Sequence, residues 1–152
     1  MTDVAGVLFT VGVFQDVAWA EKGLQALEAQ KFGPDAISLI AKDSPEAAAL
    51  AERTFGAPVG TMEIRGLGVA RARGPIVAAL EGGERELSRR GIAAAARLIG
   101  FQPHDGRIFE TLTARGGVLV AVTGDARAAD ALALLHSYGG GNAAIGAWAG
   151  RL

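Results

Sequence analysis

Gly117-Val118-Leu119-Val120-Ala121-Val122-Thr123-Gly124 is the stretch on which the fold turns. It is a short, apolar, β-branched run bounded by glycines, with Arg115-Gly116 in front and an Asp-capped helical pattern behind. Those features predict a buried central strand feeding a helix. A second copy of the unit lies near the N-terminus. There Val7 to Phe14 reads as a strand, and Asp16 is placed to cap a helix whose Val17, Ala20, Leu24 and Leu27 recur at three- and four-residue spacing. Phe32-Gly33-Pro34-Asp35 ends that helix: Gly33 is expected in the left-handed conformation, and Pro34 cannot continue a helix. Ala36 to Ala41 then forms the next strand.

Setting Val13 against Ala121 aligns the two copies. The pairs are Ala18 with Ala126, Ala20 with Ala128, Leu24 with Leu132, Leu27 with Leu135, Gly33 with Gly141, and Ile37 with Ile145. Two β-α-β units placed about a pseudo-twofold give one four-stranded sheet with both helices on one face. The expected fold is therefore α/β (α+β), a ferredoxin-like plait of two β-α-β units around a helical middle insertion. As a single domain it divides into residues 1–43, an insertion at 44–116, and 117–152. The face without helices needs a cover, which the insertion is placed to provide.

Within that insertion, Ser44-Pro45-Glu46 is a helix start, and Ala47, Leu50 and Ala51 form an apolar side ending at Gly56. Residues 58–68 read as loop. Val69 to Leu80 has room for one extra strand, interrupted at Gly74-Pro75. Ser88 to Leu98 reads as one alanine-rich helix. Asp105 to Arg115 reads as another, capped by Asp105, with Ile108, Phe109 and Leu112 on its inner side.

Composition narrows the function classes. The chain has 152 residues, no cysteine and a formal net charge of -1. A charge so close to zero provides no general field for nucleic acid, and the missing cysteines remove disulfides, thiolate metal sites and cysteine nucleophiles. A reducing, cytoplasmic setting fits. Val4 to Phe14 follows Asp3 without a basic leader and reads as structure. Elsewhere charged residues interrupt each apolar run before the length of about 20 residues that crosses a bilayer. No cofactor or metal is expected.

The strand Val11-Gly12-Val13-Phe14 with Ala20-Glu21 and Leu24 in its helix, the strand start Ile37-Ser38, and the late run Gly116-Gly117-Val118-Leu119-Val120-Ala121-Val122 resemble the bacterial general-stress-protein family with a YflT-type domain. The resemblance covers most of the chain in outline. Members commonly carry a long glycine-zipper-like middle. In this chain that middle is reduced to Gly60, Gly66, Gly68 and Gly74, interrupted by Arg65, Arg71 and Arg73, which argues against a membrane-associated role. The resemblance implies a non-enzymatic, stress-associated protein and supplies no catalytic residues.

Two segments carry candidate chemistry. In Arg65-Gly66-Leu67-Gly68-Val69-Ala70-Arg71-Ala72-Arg73-Gly74, glycines let a ligand approach the backbone, and an extended chain points Arg71 and Arg73 to one side, where two guanidinium forks can grip a phosphate or carboxylate. The competing reading is an edge strand whose arginines face water, and charge runs are usually solvated. His104-Asp105 pairs an imidazole with a carboxylate, the elements of general-base catalysis, although Asp105 also serves as a helix cap. His136 is the only other histidine, and no metal-binding spacing joins the two. Glu81, Glu84 and Glu86 alternate with Arg85, Arg89 and Arg90 and read as surface pairs. Trp19 and Trp148 read as packing residues. The expected function is a non-enzymatic structural or interaction role, with a homo-oligomer formed through a sheet face or edge. The alternative is a sensing domain that binds an anionic metabolite or nucleotide at a subunit interface.

Overall fold

The computed structural model describes residues 8–124, 127–139 and 148–151. In chain order they form β1 (Leu8–Phe14), α1 (Val17–Ala29), β2 (Ile37–Lys42), α2 (Pro45–Phe55), β3 (Thr61–Ile64), β4 (Gly68–Arg73), α3 (Pro75–Glu81), α4 (Glu86–Arg90), α5 (Ile92–Leu98), α6 (Pro103–Ala114), β5 (Val118–Thr123), α7 (Ala128–Ser137) and β6 (Trp148–Arg151). The sheet has the order β3-β4-β2-β5-β1-β6, and every neighbouring pair is antiparallel. β1 and β2 therefore run parallel to each other with β5 between them.

The side chains of β5 explain its unbroken apolar run. Val118, Val120 and Val122 join a core with Ala20, Leu24 and Leu27 of α1, Leu50 of α2, and Ala131 and Leu135 of α7. Leu119 and Ala121 point the other way, into a core with Phe9, Val11 and Val13 of β1 and residues of α3 to α6 such as Ile76, Leu87, Ile92 and Phe109. Because both faces are covered, no position on the strand has to be polar. Val13 and Ala121, equivalent in the internal repeat, lie on the same face. Of the helix pairs, Leu27 and Leu135 are both buried, whereas Ala128 and Leu132 are only half-buried where Ala20 and Leu24 are buried. Ala126, Gly141 and Ile145 lie outside the described residues.

The middle of the chain is more than a helical cover. Residues 58–68, expected as loop, contain β3. β4 lies between β3 and β2 and is not an edge strand. α2 packs with α1 and α7, leaving α3 to α6 to cover the opposite face. The single helix expected over 88–98 is two, broken at Gly91, whose φ is +95°. A Cβ there would lie 2.6 Å from the Arg65 carbonyl oxygen, so the chain must bend where the β3–β4 turn passes.

Capping divides the helices into two groups. Asp16 and Ser44 cap α1 and α2 locally, accepting from Trp19 N at 2.9 Å and Ala47 N at 3.0 Å. The short helices of the middle have no side-chain cap of their own. Glu81 serves α4, its two oxygens accepting from Ser88 N at 2.6 Å and Ser88 Oγ at 2.8 Å. Glu110 of α6 accepts from Ala93 N of α5 at 3.3 Å. Glu81 is thus a capping group rather than a surface pair, while Glu86 and Arg90 do pair, at 3.2 Å. Asp105 sits inside the first turn of α6, whose N-cap is Gln102. On the inner side of α6, Phe109 and Thr113 are buried while Ile108 and Leu112 are only half-buried, and Phe109 makes an edge-on contact with Phe101 at 5.6 Å between centroids. Trp19 is not packed in the core: it is 39% exposed, with Lys22 Nζ 4.6 Å above its ring. The Trp148 side chain lies outside the described residues.

Candidate functional site

The Arg65 to Gly74 segment is a β-hairpin arm. Ile64 pairs with Gly68 across the turn Arg65-Gly66-Leu67, and Gly66 and Gly68 adopt φ of +92° and +85°. The glycines meet the backbone demand of a three-residue turn. Leu67 is buried in the core beneath that turn.

Arg71 and Arg73 do share one face of β4, opposite Ala41 and Leu39 of β2. Each is already engaged there. Arg71 Nε donates to Asp43 Oδ1 at 2.7 Å, and its Nη1 donates to the Val59 carbonyl at 2.6 Å. The Arg73 guanidinium lies 4.9 Å from the centroid of the Phe55 ring, within cation–π range. Arg65 sits in the turn, away from both. His104 and Asp105 occupy the first turn of α6, His104 exposed and Asp105 half-buried. Because α6 covers the opposite face of the sheet, the two sequence candidates do not converge. His136 lies in the last turn of α7, where an imidazolium would interact favourably with the helix dipole. Among the described residues no three acidic or histidine side chains gather as a metal site.

Concavities open on either side of α2 among the described residues. A groove of about 360 Å3 runs between α1 and α2, with Leu24, Phe32, Ile37, Leu50 and Phe55 among its apolar lining. It is strapped by Arg53, which donates to Glu21 at 2.7 Å. The groove lies toward the C-terminal turns of both helices, and its charged lining is Glu21, Glu28 and Arg53.

The second concavity, a cleft of about 260 Å3, has the opposite electrostatic character. It sits where β1 and β2 end and β5 begins, and it is lined by Val17, Ala41, Lys42, Asp43, Ser44, Ala47, Ala114, Arg115, Gly116 and Val118. Topology creates it: the parallel strands β1 and β2 each turn into a helix at this end, while the α6–β5 connection brings Arg115 between them. Lys42 Nζ donates to the Ala114 carbonyl at 3.3 Å. Among the described residues the Arg115 guanidinium has no hydrogen-bond or ion-pair partner. The one carboxylate in the lining, Asp43, is held by Arg71.

Sequence reasoning missed Lys42 and Arg115. Their only local signals are a lysine at the end of an apolar strand ahead of a cap, and an arginine ahead of Gly116-Gly117. Comparisons of the chain with protein-family models, with curated proteins and with solved structures found no match.

Proposed function

We propose that the chain is a non-enzymatic, stress-associated interaction protein of the cytoplasm that forms homo-oligomers through the β6 edge of its sheet. We further propose that β6-β1-β5-β2 constitute a ferredoxin-like plait to which β4 and β3 are added. The strand order and the placement of α1 and α7 on one face support the plait. The stress association rests on the sequence resemblance alone. No helix among the described residues is long and apolar enough to cross a membrane.

The observation that carries self-association is how the sheet is covered. Helices occupy both faces of its inner strands, so the backbone edges are the surfaces left for strand addition. At one end β3 is four residues long, with Thr61 and Glu63 exposed. β6 is equally short, so it is the exposed mid-strand carboxylate of Glu63 that blunts the β3 edge. At the other end β6 pairs with β1 through Trp148 to Arg151, and no described strand pairs with its far side. A second copy adding antiparallel there would continue the ladder.

Sedimentation velocity over a range of concentrations tests the reading. Successive residues of a strand direct their N–H groups to opposite sides, so Ala149→Pro and Gly150→Pro remove donors facing different neighbours. The expected result is a dimer weakened at least tenfold by one of the two prolines without loss of thermal stability in that variant. A wild-type protein that stays monomeric at the highest concentration reached would rule out self-association.

A further inference from the structure

We propose that the cleft between the β1–α1 and β2–α2 turns is a binding site for a dianionic phosphate group, with Arg115 and Lys42 as its cationic partners. This inference is independent of self-association through β6.

Charge decides the class of ligand. Four lining side chains are polar: Lys42, Asp43, Ser44 and Arg115. Asp43 would repel an anion if it were free, but Arg71 holds its Oδ1 at 2.7 Å from the side of β4. Arg71, an anion-gripping candidate in the sequence, thus acts as a positioning residue that neutralises the only opposing charge. What faces the cleft is then one ammonium and one guanidinium, a match in charge for a dianion. Lys42 uses one of its three donors on the Ala114 carbonyl, and that bond is long at 3.3 Å. Arg115 is exposed, and its five donors are unused among the described residues.

Shape supports the same class. The remaining walls are small, namely Ala41, Ala47, Ala114 and Gly116, with Val17 and Val118 beneath. Small walls let the tetrahedral group come close to the backbone. A volume of about 260 Å3 accommodates a phosphate with a short organic body rather than a dinucleotide. The guanidinium fork matches two phosphate oxygens, and the ammonium serves as a point charge for a third.

The test is a 1H–15N correlation titration of the full chain with inorganic phosphate and with glycerol 3-phosphate, at about pH 8, where the ester, with its second pKa near 6, is a dianion and the free ion is mostly one. Sodium chloride and sodium acetate at matched ionic strength are the controls. Saturable shifts are expected at the amides of Lys42, Ser44, Glu46, Arg115 and Gly116. Arg115→Gln should weaken binding about tenfold or more, the loss of a charge-assisted hydrogen bond. Arg65→Gln, an exposed arginine in the β3–β4 turn, should leave it unchanged. Tighter binding of glycerol 3-phosphate assigns the cleft to an ester; equal binding assigns it to the free ion. Shifts reproduced by chloride or acetate, or phosphate binding that survives Arg115→Gln undiminished, would overturn the proposal. Because Arg115 is exposed and partnerless among the described residues, its replacement does not put folding at risk.

Discussion

Ser38 Oγ accepts a 3.0 Å hydrogen bond from the backbone N–H of Ile76, 38 positions further along the chain. Ser38 is fully buried in β2, and Ile76 is in the first turn of α3, whose N-cap, Gly74, has no side chain to offer. The two positions are matched sterically as well. A Cβ at Gly74 would lie 2.4 Å from both Cα and Oγ of Ser38, and its φ of +120° is one that side chains rarely adopt. Ser38→Ala should destabilise the protein by about 1–3 kcal/mol in urea unfolding, the range for a buried donor left unpaired. Gly74→Ala should do more, about 2–6 kcal/mol when backbone strain and overpacking act together. Equal stability of Ser38→Ala and wild type would show that water replaces the hydroxyl.

The end of α1 reverses what its sequence suggests. Lys31, not Gly33, takes the left-handed conformation, with φ of +67°, while Gly33 has φ of -72°. Lys31 N bonds to the Glu28 carbonyl at 2.9 Å and Phe32 N to that of Leu27 at 3.0 Å, a Schellman ending. Lys31→Gly should therefore stabilise by about 0.5–1 kcal/mol, relief of left-handed strain partly offset by unfolded-chain entropy. Gly33→Ala, with open space at its Cβ, should be neutral or stabilising by up to about 1 kcal/mol. A large loss from Gly33→Ala in thermal unfolding would contradict both assignments.

Gly23 of α1 lies directly over the Phe14 ring. A Cβ there would approach Phe14 Cζ to within van der Waals overlap, at 2.4 Å, and Phe14 is fully buried with no room to retreat. Gly23→Ala should cost about 1–3 kcal/mol through overpacking despite the higher helix propensity of alanine. The companion change Phe14→Leu should recover part of that loss in the double variant, and purely additive effects would mean the two positions are not coupled.

Thr10 in β1 is fully buried, and its hydroxyl has no hydrogen-bond partner among the described residues. Thr10→Val keeps the branched shape and removes the unsatisfied group, so the variant should be more stable by about 1 kcal/mol. A destabilised variant would reveal a bound water or a partner for that hydroxyl.

Local signals in the sequence were sufficient for β5 and for the starts of α1 and α2. The unbroken run at Gly117 to Gly124 announced a strand buried in the middle of the sheet, and Asp16 and Ser44 announced the starts of α1 and α2, because a cap acts within three residues of itself. The hairpin of β3 and β4 was harder to see: with only four residues in β3 and glycines around it, the turn chemistry resembled a ligand loop.

What depended on distant partners could not be read from the order of residues. Arg71 and Arg73 look free in the sequence, and only the pairing of β4 with β2 brings Asp43 and Phe55 to them. Glu81, Glu110 and Ser38 cap helices without standing at their N-cap positions, since the short helices of the middle begin at Gly74, Arg85 and Gly91 and depend on other residues for the missing acceptors. The Lys42–Arg115 cleft is of the same kind. The sequence by itself determined an α/β chain with a doubly buried central strand, because hydrophobic period and capping are short-range. Tertiary structure alone decided which charges are neutralised and which are left facing a cavity, because ion pairs form between side chains that only the packed sheet brings together.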